Sequence, residues 1–95
     1  MNEPKEFKHN PSIALGDLHS GEWMRDEQGR VFIRCPHKHG RVGMITGNLC
    51  MLQGHPGRQD WAISAEGKVT PSVHFVDPEC GYHEFITLLD WKPLP

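Results

Sequence analysis

Ninety-five residues with 37% hydrophobic, 23% charged, 10 Gly and 8 Pro describe one small folded domain, too short for two cores and too apolar for a disordered chain. Twelve acidic against ten basic residues leave a formal charge of -2, which removes the global electrostatic argument for nucleic acid and leaves only a local one. No apolar run approaches the roughly 20 residues of a membrane helix, so a spanning segment is excluded.

Three cysteines, Cys35, Cys50 and Cys80, cannot all pair within one chain. With no charged-then-apolar leader before Met1-Asn2-Glu3-Pro4, the expected setting is a reducing cytoplasm rather than an exported disulfide scaffold. So small a core, diluted by glycine and proline, calls for a staple such as a metal.

In chain order, residues 1–20 mix Pro4, Asn10, Pro11 and Gly16 with the short apolar set Ile13, Ala14, Leu15 and Leu18. That spacing allows about one helical turn, and the segment is read as a flexible arm or docking turn. Trp23-Met24 and Arg30-Val31-Phe32-Ile33 flank Asp26-Glu27-Gln28-Gly29, a hairpin closed by glycine. Proline at 36 ends the second strand by removing a ladder donor. Val42, Met44 and Ile45, set among glycines, predict a short strand, and 48–59, with Gly54, Pro56 and Gly57, predicts a loop.

Trp61–Ser64 and Val69–Phe75 around Ala65-Glu66-Gly67 form a second hairpin in which Val69, Val73 and Phe75 share one parity. After the turn 77–81, Tyr82–Leu89 reads as the last strand. The expected architecture is a mostly β single domain of antiparallel character, 21–95, behind a short N-terminal arm. Trp23, Trp61, Trp91, Phe32, Phe75 and Phe85 are its expected aromatic core.

Cys35-Pro36-His37-Lys38-His39-Gly40 and Cys80-Gly81-Tyr82-His83 concentrate thiolate and imidazole donors at two strand-to-turn junctions, 45 residues apart. A structural zinc takes four tetrahedral ligands of these types, and two short chelating loops supply two each. The spacing selects Cys35, His39, Cys80 and His83, with His37 the rival of His39; Cys50 and His55 form a weaker alternative pair. Closing the loop between the clusters costs on the order of 3.4 kcal/mol, against about 10–16 kcal/mol from a structural zinc.

A catalytic zinc would need an open position and a nearby carboxylate, for which Glu79 and Glu84 are the candidates. The segment His83-Glu84-Phe85-Ile86-Thr87 lacks the second histidine of the helical metalloprotease motif. The chain is therefore read as a binding module rather than an enzyme, with a small zinc hydrolase as the third reading. Arg30, Arg34, Lys38 and Arg41 form a local basic edge beside the proposed metal, either a solvated strand face or a patch for phosphate or acidic protein. Gly54-His55-Pro56-Gly57 lacks the Lys and Ser/Thr of a phosphate-cradling loop, so no nucleotide is expected.

Arg34-Cys35-Pro36 to His39-Gly40, Trp61, Thr70-Pro71-Ser72-Val73, and Cys80 to His83 with Phe85-Ile86 together resemble a family of small proteins of tailed-phage and bacterial genomes. Some of these lie beside ubiquitin-like conjugation genes and some carry an ammonia monooxygenase label. The likeness runs from near Trp23 to Trp91. In that family the first cluster reads with cysteines, where His37 and His39 stand here. The resemblance implies a zinc-ribbon-like fold and no particular activity. The resulting expectation is a zinc-stabilised module acting through protein contact, such as a phage accessory or host-targeting inhibitor in the host cytoplasm. A nucleic-acid-binding module using the basic edge is the alternative.

Overall fold

The computed structural model describes residues 6–36, 49–57, 59–75 and 81–92. They form β1 (Glu6–His9), a short 3-10 turn (Leu15–Asp17), β2 (Glu22–Arg25), β3 (Val31–Arg34), β4 (Leu49–Gln53), β5 (Ala62–Ile63), β6 (Val69–Thr70), β7 (Val73–His74), β8 (His83–Glu84) and β9 (Thr87–Leu88). The domain is mostly β. A five-stranded sheet runs β4-β3-β2-β1-β9, and β5-β6 and β7-β8 form two small antiparallel pairs.

The β2–β3 hairpin forms where the sequence predicts it, and Asp26 explains why. Its Oδ1 accepts the backbone N–H groups of Gln28 and Arg30 at 3.0 and 2.9 Å, and its Oδ2 meets Arg30 Nε at 2.6 Å. Gly29, at φ 81°, supplies the left-handed residue that lets a three-residue turn match the twist of its strands. The register Trp23↔Ile33, Met24↔Phe32, Arg25↔Val31 sends odd and even positions to opposite faces.

One face carries the main core of Phe7, Trp23, Val31, Ile33, Cys35, Leu52, Val69, Val73, Phe75, Tyr82, Ile86 and Leu88. The other carries Leu18, Met24 and Phe32, with Met51 packed against them. Val69, Val73 and Phe75 are all buried, as their shared parity predicts.

Three expectations are corrected. The segment read as an arm contains β1, which lies between β2 and β9 and runs parallel to both. Phe7 is fully buried in the main core, and this outweighs the polar neighbours that hide the strand in the sequence. Parallel pairing needs a long connection. Residues 10–21 provide it, tied by Asn10 Nδ2 to Asp17 O (2.7 Å), Ser12 Oγ to Asp17 Oδ2 (2.7 Å) and Asn10 Nδ2 to Glu22 Oε1 (3.0 Å). Within this connection Leu18 covers the second face.

Next, the predicted loop 48–59 contains β4, antiparallel to β3, whose Leu52 enters the main core while Met51 faces the smaller one. Finally, the predicted last strand divides into β8 and β9, and Phe85 between them is 63% exposed rather than in the core. The strand predicted at Val42, Met44 and Ile45 lies outside the described residues.

Gly67 seats β9 against the second hairpin. Its carbonyl accepts Leu88 N–H at 2.8 Å, and its φ is 88°. A Cβ there would lie 2.2 Å from Leu88 O and 2.9 Å from Trp91 Cβ. No helix among the described residues is long and apolar enough to cross a membrane.

Candidate functional site

Of the predicted zinc ligands, Cys35 and His83 are described; His37, His39 and Cys80 lie outside the described residues. Cys35 follows β3 and is completely buried in the cluster that also holds Val73, Phe75 and Tyr82. The β7–β8 pair, which carries His83, thus shares its core with Cys35. His83 itself is exposed on β8: its ring stacks on that of His74, its register partner, with centroids 4.6 Å apart. Its Nε2 lies 2.7 Å from Ser72 Oγ. Among the described residues no three His, Cys, Asp or Glu side chains gather into a metal-binding group.

The weaker alternative pair divides: Cys50 is half-buried on β4, whereas His55 is exposed and accepts Gly57 N–H through Nδ1 at 2.9 Å. Glu84, a candidate for the hydrolase reading, is half-buried on β8, and Glu79 lies outside the described residues.

The basic edge is committed internally in its described half. Arg30 is held by Asp26 and by Gln28 Oε1 (3.0 Å), and Arg34 donates to Leu18 O at 2.6 Å and Leu15 O at 3.4 Å. These guanidinium groups close the hairpin and fasten the crossover. Burial pushes the Asp26 carboxyl upward, but the hydrogen bonds from Arg30 and Gln28 and the Arg30 charge outweigh it and hold the group below its ordinary range. Lys38 and Arg41 lie outside the described residues.

A cavity of about 470 Å³ that sequence reasoning missed lies at the other side of the sheet, lined by His9, Trp23, Arg25, Asp90, Trp91 and Lys92. The parallel register places His9 beside Trp23, with ring centroids 4.4 Å apart. Trp23 donates through Nε1 to Leu89 O at 2.8 Å, fixing the chain just before Asp90 turns it with φ 60°. Trp91 then folds back to 5.2 Å from Trp23. The Arg25 guanidinium carbon stands 4.4 Å from the centre of the Trp91 ring, within cation–π range. Its Nε is buried and has no hydrogen-bond partner among the described residues. The members come from three distant segments, so no local motif announces them.

A second cavity, of about 370 Å³, is lined by Gln59, Asp60, Trp61, Ala62, Thr70 and Pro71. It adjoins the Thr70-Pro71-Ser72-Val73 stretch, and Trp61 Nε1 donates to Ser72 O at 3.4 Å.

The fold and these features define a small, antiparallel-rich β domain with an aromatic and basic cavity. No protein-family model matches the chain, and no solved structure does. Among curated proteins, a 1,4-alpha-glucan branching enzyme GlgB of Photobacterium profundum is 24% identical over 108 aligned positions. The match takes in 98% of this chain but only 15% of the length of that enzyme.

Proposed function

We propose that the chain is a small zinc-stabilised binding module acting through protein contact, of the phage and bacterial family it resembles, and an accessory or host-targeting factor in the cytoplasm. One observation carries the choice of protein over nucleic acid: Arg30 and Arg34 are tied to groups of the same chain, while apolar side chains stand in solvent. Ile13 is 58% exposed, and Leu15 and Leu49 flank Arg34, the first through its carbonyl and the second as its register partner. Exposed apolar side chains beside a guanidinium turned to carbonyls of its own chain suit a protein surface better than a phosphate backbone.

The zinc would be held by Cys35, His39 (or His37 in its place), Cys80 and His83. What supports the reading is that Cys35, the first donor, shares a core with Val73, Phe75 and Tyr82 of the strands flanking the second cluster. Bound there, zinc would supply folding free energy rather than a reactive water. Two measurements test this function. Affinity capture from the native host cell should return a protein partner, and metal analysis should find one zinc whose chelation lowers the melting temperature. Capture of nucleic acid alone, with binding that collapses as salt rises, would replace the protein reading, and a folded protein with less than about half an equivalent of zinc would remove the metal.

A further inference from the structure

We infer that the cavity lined by His9, Trp23, Arg25, Trp91 and Lys92 receives a carboxylate side chain from an acidic segment of the partner protein. Arg25 and Lys92 meet the anion, and the flank of Trp91 covers its aliphatic stem. The inference rests on the protein-contact reading above and names the chemistry of the contact.

The first argument is a guanidinium without a hydrogen-bond acceptor at its Nε among the described residues. The Arg25 guanidinium carbon lies 4.4 Å from the Trp91 ring centre, and a guanidinium over an aromatic face can still use its donors toward an acceptor. No hydrogen bond within the described residues satisfies its buried Nε. Burial pushes the guanidinium below its ordinary range. Arg25 is half-buried and lines the opening, and a planar carboxylate matches the paired donors of a guanidinium.

The second argument is the charge count around the opening. Arg25 and Lys92 are positive and Asp90 is negative, so these three give the lining a formal charge of +1. That balance suits one carboxylate at a time and disfavours a dianionic phosphate, which Asp90 repels.

The third argument is shape. About 470 Å³ accepts a glutamate side chain with adjoining backbone, and the aromatic wall gives its methylene groups an apolar surface. Base stacking by nucleic acid is disfavoured, because Trp23 is only 1% exposed and one side of Trp91 already faces Arg25.

The test is titration of the full chain with an acetylated, amidated tetraglutamate peptide, read by tryptophan fluorescence and by the indole N–H resonances of Trp23 and Trp91. The tetraglutamine peptide, acetate and a short polythymidine oligonucleotide serve as comparisons. Tetraglutamate should shift both indole signals and bind at least tenfold more tightly than tetraglutamine. The difference corresponds to about 1.4 kcal/mol for a charge-assisted pair. Arg25→Met should abolish that preference. Lys92→Gln, at an exposed position, should weaken tetraglutamate binding roughly threefold without disturbing the fold, an effect typical of one rim charge.

Equal binding of the two peptides, no indole shift at millimolar peptide, or an unchanged affinity in Lys92→Gln together with Arg25→Lys would overturn the inference. Acetate that competes as well as the peptide would reassign the cavity to a free small carboxylate, and tighter binding of the oligonucleotide would reassign it to nucleic acid. Zinc is assayed on the same samples. Metal-free protein that still prefers tetraglutamate keeps this contact and removes the zinc, whereas a captured partner indifferent to Arg25→Met keeps the module and removes this contact.

Discussion

Replacing Phe7 by alanine separates an appended arm from an integral strand more sharply than any other single change. The side chain is fully buried, belongs to the main core and meets Tyr82 edge-on at a centroid distance of 6.2 Å. Truncating a buried phenylalanine costs about 3–5 kcal/mol, the transfer of the ring plus the cavity it leaves. A domain of this length has on the order of 5–14 kcal/mol in total, so Phe7→Ala removes a large share of it. At about 4–8 °C per kcal/mol, the melting temperature should fall by roughly 12–40 °C. Urea unfolding followed by circular dichroism gives the free energy, and the slope with denaturant shows whether the same surface is exposed. Glu6→Ala, next to it but exposed on the same strand, should stay within about 0.5 kcal/mol of the parent. A loss below about 1 kcal/mol for Phe7→Ala at unchanged slope would mean that residues 6–9 do not belong to the sheet, and the β1 pairing would fall with it.

Other changes probe the turns. Gly67→Ala should cost about 2–5 kcal/mol, from the left-handed φ of 88° together with a methyl group set 2.2 Å from Leu88 O; thermal melting checks it, and an unchanged midpoint would refute the close approach of β9. Because the folded Asp26 carboxyl is held below its ordinary range, its contribution is present above the unfolded pKa and is lost as pH falls through the lower folded value. Stability should therefore decline in acid from about pH 4 downward, and Asp26→Asn should flatten that decline while losing about 1–3 kcal/mol at pH 7, as measured by urea titrations across pH.

Much of the sheet was legible because its signals are local. Asp26 and Gly29 fix the first hairpin, and the parity of Val69, Val73 and Phe75 marks a buried face that the structure contains. The strands that escaped notice depend on distant partners. β1 shows a single apolar residue and gains its place by pairing with segments 22–25 and 87–88, while β4 is masked by the glycines and proline that follow it. The basic edge was visible as charge, but charge does not reveal its acceptor: Arg34 finds carbonyl groups of the crossover, 16 and 19 residues earlier. The zinc donors were equally visible, and of the chosen four only Cys35 and His83 fall in the described residues.

The aromatic cavity extends the same reasoning, since the strand that the sequence conceals is the one that builds its wall. His9 and Phe7 sit on the same side of β1; Phe7 O accepts Leu89 N–H at 2.9 Å, and Leu89 O in turn accepts the Trp23 indole at 2.8 Å. The Trp23 bond is thus the tie between β2 and the segment carrying Asp90, Trp91 and Lys92. Trp23→Phe keeps an aromatic ring but leaves the Leu89 carbonyl without its donor, for a loss of about 1–3 kcal/mol. The effect should concentrate at the cavity: hydrogen exchange should rise at residues 89–92 while the β2–β3 hairpin, held by its own ladder and by Asp26, stays protected. Equal loosening of both regions would show that Trp23 acts only by filling the core, and the indole bond would then have no special part in shaping the cavity.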